Sequence, residues 1–180
     1  MINPDLIRPQ TSTPGVVRAV VEIPKGRRSK FELDDETGLM RLDRYLYSSS
    51  QYPGDYGFIP QTLAADGDAL DILIMVNEGT FSGCLIEARV LGVFKMSDRG
   101  QEDWKLLAVP NTDPLFSEIL DLEDVANPFL REVSHFFETY KQLDGVTVQV
   151  GGWHGRQDAM AALHDALTCY MAKNAVTAPR

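Results

Sequence analysis

Asp66, Asp68 and Asp71 fall within Asp66-Gly67-Asp68-Ala69-Leu70-Asp71, and Asp98 and Asp103 stand at the ends of Asp98-Arg99-Gly100-Gln101-Glu102-Asp103. Carboxylates gathered that densely repel one another unless cations lie between them, so the two clusters read as ligands for hard divalent ions. Lys30, Arg44, Lys105 and Lys141, with Tyr56 and Tyr140, lie beside aromatic or apolar segments that could carry them to the same cleft. Cations and metal ions facing one pocket suit a small, highly charged anion such as a phosphate compound. Each feature alone also has a plain reading. Asp-Gly-Asp is an ordinary turn sequence, and an acidic hairpin tip is commonly just solvated surface. Tyr140 continues the apolar face of a helix, and Glu22 and Arg44 suit ordinary ion pairs. An EF-hand loop is excluded, because counting from Asp66 puts Leu70 at the fifth position and Asn77 at the twelfth, where a carboxylate is required. His135, His154 and His164 share no ligand spacing, and there is no P-loop, dinucleotide fingerprint or nucleophile elbow.

The elements that must position these groups follow from periodicity. Val16 to Ile23, Lys30 to Leu33, Leu70 to Val76, Cys84 to Phe94, Trp104 to Val109 and Val146 to Val150 are β-branched or apolar runs separated by turn residues, and read as strands. Asp66, Asp68 and Asp71 cannot share a face of one regular strand, since residues three apart point oppositely. Gly67 permits the turn this demands, and Asp71 then opens the strand Ile72-Leu73-Ile74. Val90 to Met96 and Trp104 to Val109 form a hairpin with Ser97 to Asp103 as its loop, so Asp98 and Asp103 face each other across its mouth. Lys105, two residues beyond Asp103, points the same way, and Lys30 with Glu32 repeats that arrangement. Two helices follow. Asn127-Pro128 caps and starts one that presents Phe129, Val133, Phe136, Phe137 and Tyr140 until Asp144-Gly145 stops it; Gln157 to Met171 forms the other, with Leu163, Ala166, Leu167 and Tyr170 along one side. Residues 1–15, rich in Pro, Thr and Ser, form an irregular arm, and 16–180 a single domain. Short strands followed by helices indicate an α+β fold with a small antiparallel barrel.

Composition bounds the function. A chain of 180 residues, 44% hydrophobic and 24% charged, suits one domain with a real core. A formal net charge of -9 disfavours nonspecific nucleic-acid or anionic-membrane binding. Bound metal ions would still allow an anionic substrate by inverting the local sign. Cys84 and Cys169 show no CxxC spacing and read as free thiols in a reducing compartment. With no apolar leader and no run of membrane-spanning length, a cytoplasmic protein is expected.

Taken together, the motifs resemble a family. Glu22-Ile23-Pro24-Lys25-Gly26, Lys30-Phe31-Glu32, Asp43-Arg44-Tyr45, Tyr52-Pro53-Gly54-Asp55-Tyr56-Gly57-Phe58-Ile59-Pro60, the Asp66 to Asp71 segment, Lys95-Met96-Ser97-Asp98, Glu102-Asp103-Trp104-Lys105 and His135-Phe136-Phe137-Glu138-Thr139-Tyr140-Lys141 are similar, in order and spacing, to soluble family I inorganic pyrophosphatases. The resemblance runs from about Val16 to Trp153. It implies an OB-like five-stranded antiparallel β-barrel flanked by two main C-terminal helices, several Mg²⁺ ions per site with Mn²⁺ or Zn²⁺ as substitutes, a cytoplasmic location and, as in bacterial members, a homohexamer. It implies that Asp66, Asp71 and Asp103 bind a first Mg²⁺, that Asp71 is shared with a second, that Asp98 and Asp103 hold one arriving with pyrophosphate, and that Glu32 holds another. Asp68 becomes the general base toward a metal-bridged water, with no covalent intermediate. Lys30, Arg44, Tyr56, Lys105, Tyr140 and Lys141 grip the phosphoryl groups, with Glu22 and Tyr52 in support. One departure is Ala69, where the family usually carries Pro or Glu; the turn is then looser but no ligand is lost. Two rival classes remain open to the residues alone: an OB-type nucleic-acid module, which would need a basic groove, and a metallohydrolase acting on nucleotides or polyphosphates.

Overall fold

A computed structural model describes residues 1–177 of the chain. Nine strands occur among them: β1 (Val16–Ile23), β2 (Ser29–Asp34), β3 (Leu39–Tyr45), β4 (Asp55–Phe58), β5 (Asp71–Ile74), β6 (Leu85–Asp98), β7 (Gln101–Glu102), β8 (Lys105–Pro110) and β9 (Val148–Gly155). Helix α1 spans Asn127–Thr139 and α2 spans Arg156–Thr177. The strands β1, β4, β5, β8 and β6 pair in that order, and β6 returns to β1, closing a ring of five. The architecture is the α+β arrangement expected, with one refinement: β5 and β8 run parallel while the other four pairs of the ring are antiparallel. An odd ring cannot alternate direction all the way round, so at least one parallel pair is unavoidable. Strands β7 and β9 extend β6 outside the ring, and β2 with β3 forms a separate two-stranded sheet.

Strands β3 and β4 escape the periodicity reading. Strand β3 is largely exposed and so lacks an apolar alternation, while β4 is four residues long and contains Gly57. A Cβ at Gly57 would sit 1.9 Å from the Val20 carbonyl oxygen, so only glycine lets β4 approach β1 this closely. Helix boundaries also differ. Pro128 lies in the first turn of α1, but Asn127 is already helical and the cap position is Ala126, without a side-chain cap. The helix ends at Thr139, and Asp144-Gly145 instead closes a short 3-10 turn, Gln142–Asp144, where Gly145 takes φ 73°. Helix α2 begins one residue earlier and ends six later than its apolar pattern indicates.

Alternation along each strand sorts the core into two faces. Leu73, Phe94, Met96, Leu107 and Val109 pack beneath Val133, Phe136 and Phe137 of α1. Ile72, Ile74, Val90, Val93, Leu106 and Ala108 pack with Ala159, Ala162, Leu163 and Ala166 of α2. Emptying the Phe137 site, 1% exposed, would cost about 3–5 kcal/mol. Among the described residues no helix is long and apolar enough to cross a membrane.

Candidate active site

The carboxylates continue the α1 face of the sheet past its apolar stretch. Asp71 and Lys105 are register partners in the parallel β5–β8 pair, so their side chains emerge together. The Lys105 ammonium clasps both Asp71 and Asp103. Only 3% exposed, it lies 5.7 Å from the Tyr56 ring centre and 5.9 Å from that of Phe137. Burial opposes its charge, but Asp71 and Asp103 outweigh burial and hold the ammonium above the usual lysine range. The Tyr56 hydroxyl donates to Asp71 Oδ2 at 2.5 Å, and burial, then Asp71 and Asp103, push that phenol well up.

The second acidic cluster is more ordered than an open loop. Strands β6 and β7 pair through Ser97–Glu102 and Asp98–Gln101, leaving Arg99 and Gly100 as a two-residue turn with φ 51° and 83°. Both positive angles suit the tight turn that matches strand twist. Asp103 lies opposite Met96, its amide donating to the Met96 carbonyl at 3.0 Å. Asp98 and Asp103 therefore share a face, one pair apart diagonally, instead of confronting each other across a mouth. Asp98 Oδ2 accepts from Lys141 at 2.5 Å, and its Oδ1 is buried without a hydrogen-bond partner among the described residues. Tyr140 and Lys141 reach the site because α1 ends there, and the Lys141 ammonium lies 5.1 Å from the Tyr140 ring centre.

The β2–β3 sheet brings the third group. Lys30 pairs with Arg44, while Phe31 pairs with Leu42, so Asp43 is the extra residue of a bulge. Bulges re-aim side chains. Here Asp43 accepts from Arg44 at 2.5 Å and lies 3.4 Å from Lys30, which also clasps Glu32. Sequence reasoning gave Asp43 no role; its place next to Arg44, opposite Lys30, is the signal that could have found it. A second bulge, at the end of β1, lets the Glu22 carboxylate accept from the Leu33 amide at 2.9 Å and join β1 to β2. Burial, reinforced by Asp71 and Glu32 against the Leu33 bond and Lys30, pushes Glu22 up to about 7.

Asp66 and Asp68 sit on the loop before β5. The Asp68 amide donates to Asp66 Oδ1 at 3.1 Å, Ala64 donates to the Asp68 carbonyl at 2.7 Å, and Gly67 at φ 95° makes the turn. Buried Thr62 anchors the loop, donating to the Ile59 carbonyl at 2.5 Å and accepting from the Leu70 amide at 2.8 Å. Partial burial, then Asp66, Asp71 and Glu32, raise the Asp68 carboxyl. Among the described residues no cation forms an ion pair with Asp66 or Asp68, whereas Glu32, Asp71, Asp98 and Asp103 each form at least one. Tyr52 completes the wall, its ring 5.2 Å from Tyr56 and 4.8 Å from Phe136, with Tyr140, Asp71, Arg44 and Glu22 in electrostatic reach of its hydroxyl. Asp55, fully buried, was also missed: it accepts from the Lys25 amide at 2.8 Å and the Thr80 hydroxyl at 2.6 Å, fixing the start of β4.

Each predicted site residue thus has a hydrogen-bonding or charge link to another. The donor set is carboxylate oxygen throughout, which suits hard divalent cations. The orphaned Asp98 Oδ1 is the kind of buried acceptor a cation satisfies. Among the described residues no three such donors stand together as a cage, because lysines lie between them. Cavities of about 210 Å³ at the N-terminal arm and about 330 Å³ beside Gln142 are lined by none of the predicted site residues.

Comparison with known proteins gives consistent relatives. The family model described as inorganic pyrophosphatase matches residues 19–171. The inorganic pyrophosphatase of Geobacillus stearothermophilus is 44% identical over 155 residues, covering 86% of this chain and 94% of that protein. That of Methanosarcina acetivorans is 47% identical over 159 residues, covering 88% and 95%. The crystal structure of the Thermus thermophilus inorganic pyrophosphatase superposes with a TM-score of 0.89 at 38% identity, covering 94% of this chain and 99% of that one.

Proposed function

We propose that this chain, which belongs to the inorganic pyrophosphatase family, hydrolyses pyrophosphate to two orthophosphates on the face shared by α1 and the carboxylate loop. The observation that carries the reading is the interleaving of Lys105, Lys30 and Lys141 with Asp71, Asp103, Glu32 and Asp98. A bound pyrophosphate would accept from those ammonium groups, from Arg44 and from the Tyr56 and Tyr140 hydroxyls, which neutralises the charge that otherwise repels a nucleophile. As each lysine turns to phosphate, its carboxylate partner is released. Asp71, Asp98, Asp103 and Glu32 then join Asp66 in holding divalent ions, and the all-oxygen donor set suits Mg²⁺, with Mn²⁺ or Zn²⁺ as substitutes. When bound, such ions supply charge screening and a lowered pKa for water.

Asp68 takes the base role. It is exposed, it forms no ion pair among the described residues, and its neighbours raise its affinity for a proton. Glu22 and Tyr52 support the site, Glu22 by tying β2 to β1. A homohexamer in the cytoplasm belongs to the same reading, and light scattering of the purified protein tests the assembly.

The experiment is phosphate release from pyrophosphate with Mg²⁺ present and then chelated, for the native chain and for Asp68→Asn. The substitution keeps shape and removes the base, so kcat should fall by about 10²–10⁴ with little change in Mg²⁺ affinity. Unchanged kcat would remove Asp68 from that role, and absence of release from the folded native chain with any of the three metals would refute the activity.

A further inference from the structure

The opening residues touch both halves of the site, and none of the roles above uses them. The Asp5 carbonyl accepts from Gln61 Nε2 at 2.6 Å, and the Asp5 carboxylate accepts from the Tyr170 hydroxyl of α2 at 2.6 Å. Gln61 holds φ 55°, a left-handed conformation that strains a non-glycine residue and persists only where its surroundings impose it. It stands at the root of the segment that delivers Asp66 and Asp68, where the Leu63 amide also donates to the Ala166 carbonyl of α2 at 2.9 Å. In the other direction the Ile2 amide donates to the Gly38 carbonyl, at the turn between β2 and β3, at 2.8 Å. A Cβ at Gly38 would lie 2.6 Å from the Ile2 carbonyl oxygen, and one at Gly83 would lie 3.0 Å from Ile2 Cδ1. Two glycines thus make the slot in which Ile2 sits. The β2–β3 sheet is separate from the ring, and near the same turn the Glu22–Leu33 bond joins it to β1. One short segment therefore bonds the tip of the hairpin carrying Lys30, Glu32 and Arg44 and also the root of the loop carrying Asp66 and Asp68.

We propose that residues 1–7 are a positioning strap, in which Ile2, Asp5 and Gln61 set the hairpin in place relative to the carboxylate loop. The proposal rests on the reading of the site given above. None of the three touches substrate. They act through the groups at either end of the strap, whose separation decides whether phosphate and Asp68 can be engaged at once. Errors of an ångström in such spacing are known to reduce turnover steeply.

The test compares the full chain with a deletion of residues 2–6, with Gln61→Asn, and with both combined. Asn accepts the left-handed backbone but is one methylene too short to reach Asp5. Steady-state hydrolysis of pyrophosphate and amide hydrogen exchange are measured on each. The expected result is a fall in kcat/KM of about three- to tenfold in either single variant, with faster exchange confined to Ser29–Tyr45 and residues 63–70. The combined variant should lose no more than the deletion, since both cut one connection. Full kcat/KM with unchanged exchange, losses that multiply in the combined variant, or exchange that quickens equally in β8 would each overturn the strap. Exchange needs no substrate, so a native chain that does not hydrolyse pyrophosphate would refute the functional reading while the strap is still decided by exchange.

Discussion

Replacing Lys105 by Met removes one charge from between two carboxylates while leaving an apolar stem against Tyr56 and Phe137. The ammonium is 3% exposed and its partners Asp71 and Asp103 have side chains 23% and 12% exposed, so solvent replaces little of what is lost. Removing one partner of a buried pair costs about 3–5 kcal/mol, because the remaining charge keeps its desolvation penalty without compensation. For a chain of this length that corresponds to roughly 6–20 °C in Tm. A divalent cation should take the place of the ammonium between Asp71 and Asp103. At a concentration about 100 times its Kd it would restore about 2.7 kcal/mol by mass action. The assay is urea unfolding of native chain and Lys105→Met at neutral pH in chelator, then in saturating Mg²⁺. A deficit below about 0.5 kcal/mol in chelator, as expected of a surface change, would refute the claim that Lys105 neutralises the pair. A deficit that Mg²⁺ does not narrow would refute the claim that ammonium and metal compete for the same oxygens.

The raised Glu22 carboxyl gives a pH dependence in chelated protein. Its folded pKa of about 7 exceeds the ordinary 4.5, so the folded state holds the proton more tightly and stability falls as pH rises through that window. Glu22→Gln keeps the acceptor for the Leu33 amide, and above about pH 7.5 it should be more stable than the native chain by up to about 3 kcal/mol; equal stability at high pH would show that Glu22 is not held neutral. Thr62→Val strands the Leu70 amide and should cost about 1–3 kcal/mol in thermal unfolding, with weakened Mg²⁺ binding by titration calorimetry. Ala69→Pro should add about 0.4–1 kcal/mol by restricting the unfolded chain, and a large drop in Tm would mean that the loop backbone does not accept proline.

Much of this molecule is written in short-range pattern. Period two along a strand puts Asp103 and Lys105 on one face, and it puts Lys30 beside Glu32, before any partner strand is known. The spacing of Asp66, Asp68 and Asp71 demands a turn, and Gly67 supplies it. The helix that ends at the site is legible from Phe129 to Tyr140, because an apolar face is a property of a few consecutive turns. Odd closure, by contrast, is a property of the whole ring, and it makes β5 and β8 parallel where alternation had been expected. That same pairing sets Asp71 opposite Lys105, two residues far apart in the chain whose register depends on every strand between them. The bulge that turns Asp43 toward Lys30, and the short β4 hidden among glycines and prolines, likewise depend on how close two backbones come. The opening arm carries no periodic signal, yet its carbonyls and amides find partners at Gly38 and Gln61. Local chemistry, encoded within a few residues, thus determined which groups could act. Only tertiary packing, which fixes register between distant segments, decided that lysines stand between the carboxylates and that, among the described residues, Asp68 is left without an ion pair.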